Sequence, residues 1–236
     1  MSIVCFGDSL TQHGYDVAKR GWVAQLSHAY LRRLDVINRG YSGYTSRWVQ
    51  PLVPMLSQWS PRLLVILFGS NDAMPPPSTR HVPIAEFRRN IEQILASIDL
   101  SATSVVLVTP PSLGVKLYEA TNDDVGRTFE SVKECADAVR EIASAFSVPC
   151  ADLWTAVEEG AKEIGGEMDG YDAYSYDGVH LSAGGNDLLF DVLMRTIRSQ
   201  HPHLDPDSMP FTVPYYRDVD AALADGMDVT AAVLRK

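Results

Sequence analysis

Leu63-Leu64-Val65-Ile66-Leu67-Phe68 is an unbroken apolar run set between Pro61 and Gly69. A strand with one wet face alternates apolar and polar residues, so a continuous run predicts a strand covered on both faces. The run is far too short to cross a bilayer. Doubly covered strands belong to parallel sheets flanked by helices, and the rest of the chain fits that frame. Ile3-Val4-Cys5-Phe6, Val36-Ile37, Val105 to Val108 and Val148-Pro149-Cys150-Ala151 are further short apolar runs. Helical spacing separates them: Trp22, Val23, Leu26, Tyr30 and Leu34; Ile84, Phe87, Ile91, Ile94, Leu95 and Ile98; Phe129, Val132, Cys135, Ala136, Val139, Ile142 and Phe146; and Leu188, Leu189, Val192, Leu193 and Ile197. Alternation of this kind predicts an α/β fold, a five-stranded parallel sheet with right-handed crossovers and helices on both faces.

Some connections are expected to be less regular. A helix is predicted from about Thr45 or Ser46, with Pro51 and Pro54 tolerable only near its first turn. A loop runs from Pro110-Pro111 to about Asp124, a helix starts after Asp152, and Gly165-Gly166 opens a loop that leads to His180. Hydrophobic residues make up 46% of the chain, enough for a substantial core, and nothing marks an internal boundary. Residues 1–200 are expected to form this domain. The proline-rich and then acidic stretch 201–236 reads as an extension with one short helix, packing on the body or on a partner, a homodimer included.

Ligands of open parallel sheets bind beyond the carboxyl ends of the strands, where polar residues with catalytic potential collect. Ser9 follows the first strand, in Gly7-Asp8-Ser9-Leu10-Thr11. A serine held where a strand breaks is placed for nucleophilic attack, given a base and an oxyanion donor. Asp177 and His180 are three apart, so the carboxylate can orient the imidazole toward that hydroxyl; taken alone, the pair is equally a turn aspartate beside a surface histidine. Asn71, after the third strand, can donate its amide to an oxyanion or simply cap a turn. Gly43 lets the backbone approach a ligand and donate its N–H, or makes a plain turn. Asp8 is assigned to bracing the Ser9 loop rather than to acid catalysis.

These pieces occur in order, at the ends of successive strands, and together they resemble the GDSL, or SGNH, hydrolase family. The matching blocks are Gly7-Asp8-Ser9-Leu10-Thr11, Gly43 within Tyr41-Ser42-Gly43-Tyr44-Thr45, Gly69-Ser70-Asn71-Asp72, and Asp177-Gly178-Val179-His180. Asn38 to Tyr44 with Arg47-Trp48, Asp177 to Ser182 with Gly184-Gly185-Asn186, and the tail from Met209 to Asp218 are similar to the isoamyl acetate-hydrolysing esterase branch. Thr45-Ser46 departs from that branch, which commonly has asparagine then threonine; the change bears on substrate preference. The resemblance implies a flavodoxin-like three-layer α/β/α sandwich. It also implies a serine esterase with a Ser9-His180-Asp177 triad, and an oxyanion hole of the Ser9 and Gly43 N–H groups with the Asn71 amide. No metal or organic cofactor is implied. A short acyl group, acetyl in particular, is the expected substrate, with Tyr41, Tyr44, Trp48, Tyr174 and Tyr176 able to wall a small pocket. Acyl transfer through the same acyl-enzyme, and an inert binding module on the same fold, are the rival expectations.

Charge and cysteine usage narrow the remaining classes. Thirty acidic against twenty basic residues give a net charge of −10, which disfavours nucleic acid and anionic membranes. Arg32-Arg33 and Arg88-Arg89 are expected on solvated helix faces. Cys5, Cys135 and Cys150 show no metal or disulfide spacing and read as buried small hydrophobes. With a first strand at about Ile3, no leader is expected before it. A small-molecule ester as partner, no membrane insertion and a cytoplasmic setting are therefore expected.

Overall fold

The computed structural model describes residues 2–122 and 126–234. Five parallel strands, β1 (Ser2–Gly7), β2 (Asp35–Gly40), β3 (Pro61–Leu67), β4 (Ser104–Val108) and β5 (Cys150–Ala151), form one sheet in the order β2-β1-β3-β4-β5. The helices are α1 (Ser9–Gln12), α2 (Trp22–Ala29), α3 (Ile84–Ala96), α4 (Val115–Thr121), α5 (Phe129–Ala145), α6 (Leu153–Ile164), α7 (Ala183–Gln200), α8 (Tyr216–Ala224) and α9 (Val229–Val233).

Successive strand side chains point to opposite faces, and here each face meets its own helical layer. Val4, Phe6, Leu64, Ile66, Val105 and Leu107 pack with Phe87, Ile91 and Ile94 of α3 and Val132, Cys135 and Val139 of α5. Ile3, Cys5, Leu63, Val65, Val106 and Val108 pack with Trp22 and Leu26 of α2, Val157 of α6 and Leu189 and Leu193 of α7. The result is a three-layer α/β/α sandwich. Its register aligns Gly7 with Gly40 and with Leu67, so the loops leaving β1, β2 and β3 emerge side by side.

Several expectations needed correction. The strand expected at Val36-Ile37 extends through Gly40, because pairing with β1 holds Asn38 and Arg39 as well. The fifth strand shrinks to Cys150–Ala151, at the sheet edge beside β4. The helix predicted from Thr45 is a turn followed by a 3-10 helix at Gln50–Trp59 with Pro54 inside it; proline lacks the N–H an α-helix interior needs. Helix α4 occupies part of the expected loop after β4, whose end at Asp124 lies outside the described residues. Among the described residues the tail carries two α-helices, α8 and α9, and a 3-10 turn at Pro202–Leu204, instead of one short helix.

Arg32 and Arg33 are not on a solvated helix face. Helix α2 stops at Ala29, and Arg32 has a φ of +62°. From there the Arg32 guanidinium donates to the carbonyls of Val213 (3.1 Å) and Pro214 (2.6 Å), while Arg33 Nε donates to that of Met209 (3.1 Å). Both guanidiniums lie over the Phe211 ring, at 4.7 and 4.6 Å. The basic pair holds the start of the tail against the body.

Candidate active site

The Ser9 loop is built by caps and close contacts. β1 stops at Gly7, and Asp8 caps the single turn of α1 by accepting from the Leu10 N–H at 2.9 Å. Trp22 Nε1 donates to the Leu10 carbonyl at 3.0 Å, and Asn38 Nδ2 to that of Thr11 at 2.7 Å. A Cβ on Gly40 would lie 2.0 Å from the Gln12 nitrogen, so only glycine lets β2 pass this close. Asn186 accepts from the Trp22 N–H at 3.1 Å and donates to the Ser182 carbonyl at 2.9 Å, tying the start of α7 to the same assembly.

His180 reaches Ser9 from the other end of the chain. Its Nε2 lies 3.0 Å from Ser9 Oγ, and its Nδ1 lies 2.6 Å from Asp177 Oδ2. The other Asp177 oxygen accepts from the N–H groups of Val179 (3.0 Å) and His180 (2.7 Å). Partial burial raises the Asp177 carboxyl, but these hydrogen bonds outweigh it and hold the group below the ordinary carboxylate range. An ionised carboxylate only accepts, so Nδ1 carries a proton, and in the neutral imidazole Nε2 then faces Ser9 with its lone pair. The Tyr176 ring stacks on the imidazole at 5.8 Å, Lys19 sits 4.0 Å over the Tyr176 ring, and His13 meets the imidazole edge-on at 5.9 Å.

The loops after β2 and β3 complete the cluster. Tyr41 N–H donates to the Gly7 carbonyl at 2.8 Å, which fastens the Gly43 loop beside the Ser9 loop. Gly43 has a φ of +80° with open space where a Cβ would project. Its need for glycine is therefore conformational rather than steric. Asn71 Nδ2 donates to the Tyr44 carbonyl at 2.9 Å, linking the two loops. All the site residues expected from the sequence (Ser9, Gly43, Asn71, Asp177 and His180) thus lie on adjoining loops at the carboxyl edge of the sheet.

Other expectations divide. Tyr41 and Tyr174 are partly buried and pack against the two hydrophobic cores, whereas Tyr44, Trp48 and Tyr176 remain exposed. Thr45 and Ser46 are fully buried. Ser46 donates its N–H to Asp72 Oδ1 at 2.9 Å and accepts from Asn90 Nδ2 at 2.9 Å, so it braces the Asp72 loop, while Thr45 Oγ1 accepts from the Trp48 N–H at 3.3 Å. Burial pushes Asp72 up to about 6 and Asp8 up to about 7. Arg127 is a residue that no sequence signal singled out. It donates from its NH2 group to Asn71 Oδ1 at 3.0 Å and from Nε to the Ser70 carbonyl.

A crevice of about 10 Å³ adjoins Ser9, Leu10, His13, Lys19, Tyr176 and His180. A larger cavity of about 250 Å³, lined by Asp72, Met74, His81 and Cys135 among others, does not include Ser9, Asn71 or His180. Among the described residues no group of His, Cys, Asp or Glu is placed to hold a metal ion, and no helix is long and apolar enough to cross a membrane.

The GDSL-like Lipase/Acylhydrolase family matches residues 5–188, a span that contains every one of these loops. The chain belongs to that family. Its members are ester hydrolases, and this chain is a carboxylic ester hydrolase. The isoamyl acetate-hydrolyzing esterase 1 homolog of Mus musculus is 32% identical over 93% of this chain and 88% of its own length. The resemblance of the chain to that branch therefore holds. A lipase/acylhydrolase from Enterococcus faecalis, known as a crystal structure, is 26% identical with a TM-score of 0.62, covering 85% of this chain and 97% of that one. The acetyl xylan esterase AlAXEase shares the fold, with a TM-score of 0.70 at 18% identity over 84% of this chain and all of that one.

Proposed function

We propose that this GDSL hydrolase cleaves short-chain, acetyl-type carboxylic esters through an acyl-enzyme on Ser9. The observation that carries the proposal is the continuous line from Ser9 Oγ to His180 Nε2 (3.0 Å) and from His180 Nδ1 to Asp177 (2.6 Å). Both contacts are within the range for proton transfer and orientation. As Ser9 Oγ attacks the ester carbonyl, His180 Nε2 takes the hydroxyl proton. Asp177 stabilises the imidazolium without accepting that proton. The tetrahedral oxyanion is held by the N–H groups of Ser9 and Gly43 and by the Asn71 amide. Collapse breaks the C–O bond to the alcohol, which leaves with the proton from His180. Water then attacks the acyl-enzyme, gives its proton to His180, and the acid departs as Ser9 recovers its own.

The acetyl preference is supported by similarity to a protein named as an isoamyl acetate-hydrolyzing esterase 1 homolog and by the narrowness of the crevice beside Ser9, about 10 Å³. The deciding experiment pairs a fluorophosphonate probe with peptide mass spectrometry. A single adduct on Ser9 is expected, absent in Ser9→Ala, together with a loss of about 10⁴-fold or more in kcat. An adduct on another residue, or near wild-type turnover by a folded Ser9→Ala, would overturn the assignment.

A further inference from the structure

Asn71 is almost fully buried, and the groups around its amide are of opposite kinds. On one side stands the Tyr44 carbonyl, which can only accept, 2.9 Å from Nδ2. On the other stands the Arg127 guanidinium, which can only donate, 3.0 Å from Oδ1. That pairing leaves one orientation of the amide, with one Nδ2 hydrogen committed to Tyr44 and the other given no acceptor among the described residues. Arg127 is itself held: its Nε donates to the Ser70 carbonyl, its NH1 lies 3.4 Å from Tyr118 Oη, and its guanidinium sits 5.8 Å from the Tyr118 ring centroid.

We propose that Arg127 is a positioning residue for the oxyanion hole: it locks the Asn71 amide with an N–H aimed at the developing oxyanion and strengthens that N–H as a donor. The proposal rests on the assignment of Asn71 to the oxyanion. A cation that donates to an amide oxygen draws electron density from the amide nitrogen, which makes its hydrogens better donors, an effect that grows in a low-dielectric surrounding. Loss of the guanidinium would leave Oδ1 buried without this donor and let the side chain rotate away from Tyr44. Because the benefit reaches the substrate only where charge develops, it belongs to kcat and not to KM. Lysine can supply the charge and one hydrogen bond but not the planar two-point grip on Asn71 and Ser70.

The test is a double-mutant cycle on the full chain with p-nitrophenyl acetate. Asn71→Ala should lower kcat by roughly 10²–10³. Arg127→Met should lower kcat by about tenfold or more with KM within about twofold, and Arg127→Lys should recover part of the loss. In the Asn71→Ala background, Arg127→Met should change kcat by less than about twofold, since the group it acts through is gone. Equal losses in both backgrounds would overturn the positioning role while leaving the Asn71 assignment intact. An unchanged kcat in Asn71→Ala would overturn the Asn71 assignment and the role of Arg127 with it. If Arg127→Met does not fold, Arg127→Lys carries the same cycle, with a smaller loss expected only where Asn71 is present.

Discussion

Asp8 stands next to the nucleophile and is buried completely, which makes its titration a measurable property of the fold. Oδ1 accepts the capping bond from Leu10 at 2.9 Å, and Oδ2 accepts from no described residue. Burial is the largest influence and raises the carboxyl from its ordinary 3.8 to about 7; the Leu10 N–H lowers it, the Asp72 carboxylate raises it, and His180 and Arg127 lower it. The folded state therefore holds a proton that the unfolded state releases near the ordinary value. Stability from this group is complete below the unfolded pKa and is lost as pH rises through about 7. A tenfold change in proton affinity is worth about 1.4 kcal/mol, so the loss by about pH 8 is on the order of 4 kcal/mol. Asp8→Asn keeps the Oδ1 acceptor and cannot ionise. It should match the wild type at about pH 4 and exceed it progressively, by up to about 4 kcal/mol, at about pH 8. Urea unfolding of both proteins at several pH values reads this directly, provided the m-values agree. A stability difference that is the same at every pH would refute the reasoning, because it would place the effect in packing and not in ionisation.

Two further outcomes concern the chemistry. Asp177→Asn puts an amide donor where Asp177 Oδ2 accepts from His180 Nδ1 at 2.6 Å, so the imidazole should adopt the tautomer that points a hydrogen at Ser9. kcat should fall by about 10⁴ with little change in KM, and a fall of less than tenfold would remove Asp177 from the relay. Across p-nitrophenyl acetate, butyrate and octanoate, kcat/KM should decline beyond a few carbons. An open apolar groove would instead gain roughly 0.8 kcal/mol per methylene, and a steady rise to octanoate would refute the small acyl site.

What the chain determines by itself is local. The unbroken run at Leu63–Phe68 and the helical spacing between the strands are properties of neighbouring residues, and they were enough to specify a parallel sheet covered on both faces. The break at Gly7 that presents Ser9, and the three-residue step from Asp177 to His180, are local in the same way. Tertiary structure decided what depends on distant partners. The contact between Ser9 and His180 spans 171 residues, and the loops carrying Ser9, Gly43 and Asn71 adjoin because β1 lies between β2 and β3. Arg127 carries no motif, and its relation to Asn71 exists only because folding sets its guanidinium against the loop after β3. Arg32 and Arg33 look like ordinary helix-surface charges until the tail supplies carbonyls and the Phe211 ring. Propensity and periodicity sum over a few adjacent residues, whereas β5, the 3-10 segment at Gln50–Trp59 and the grip on Asn71 depend on groups the chain brings together only on folding.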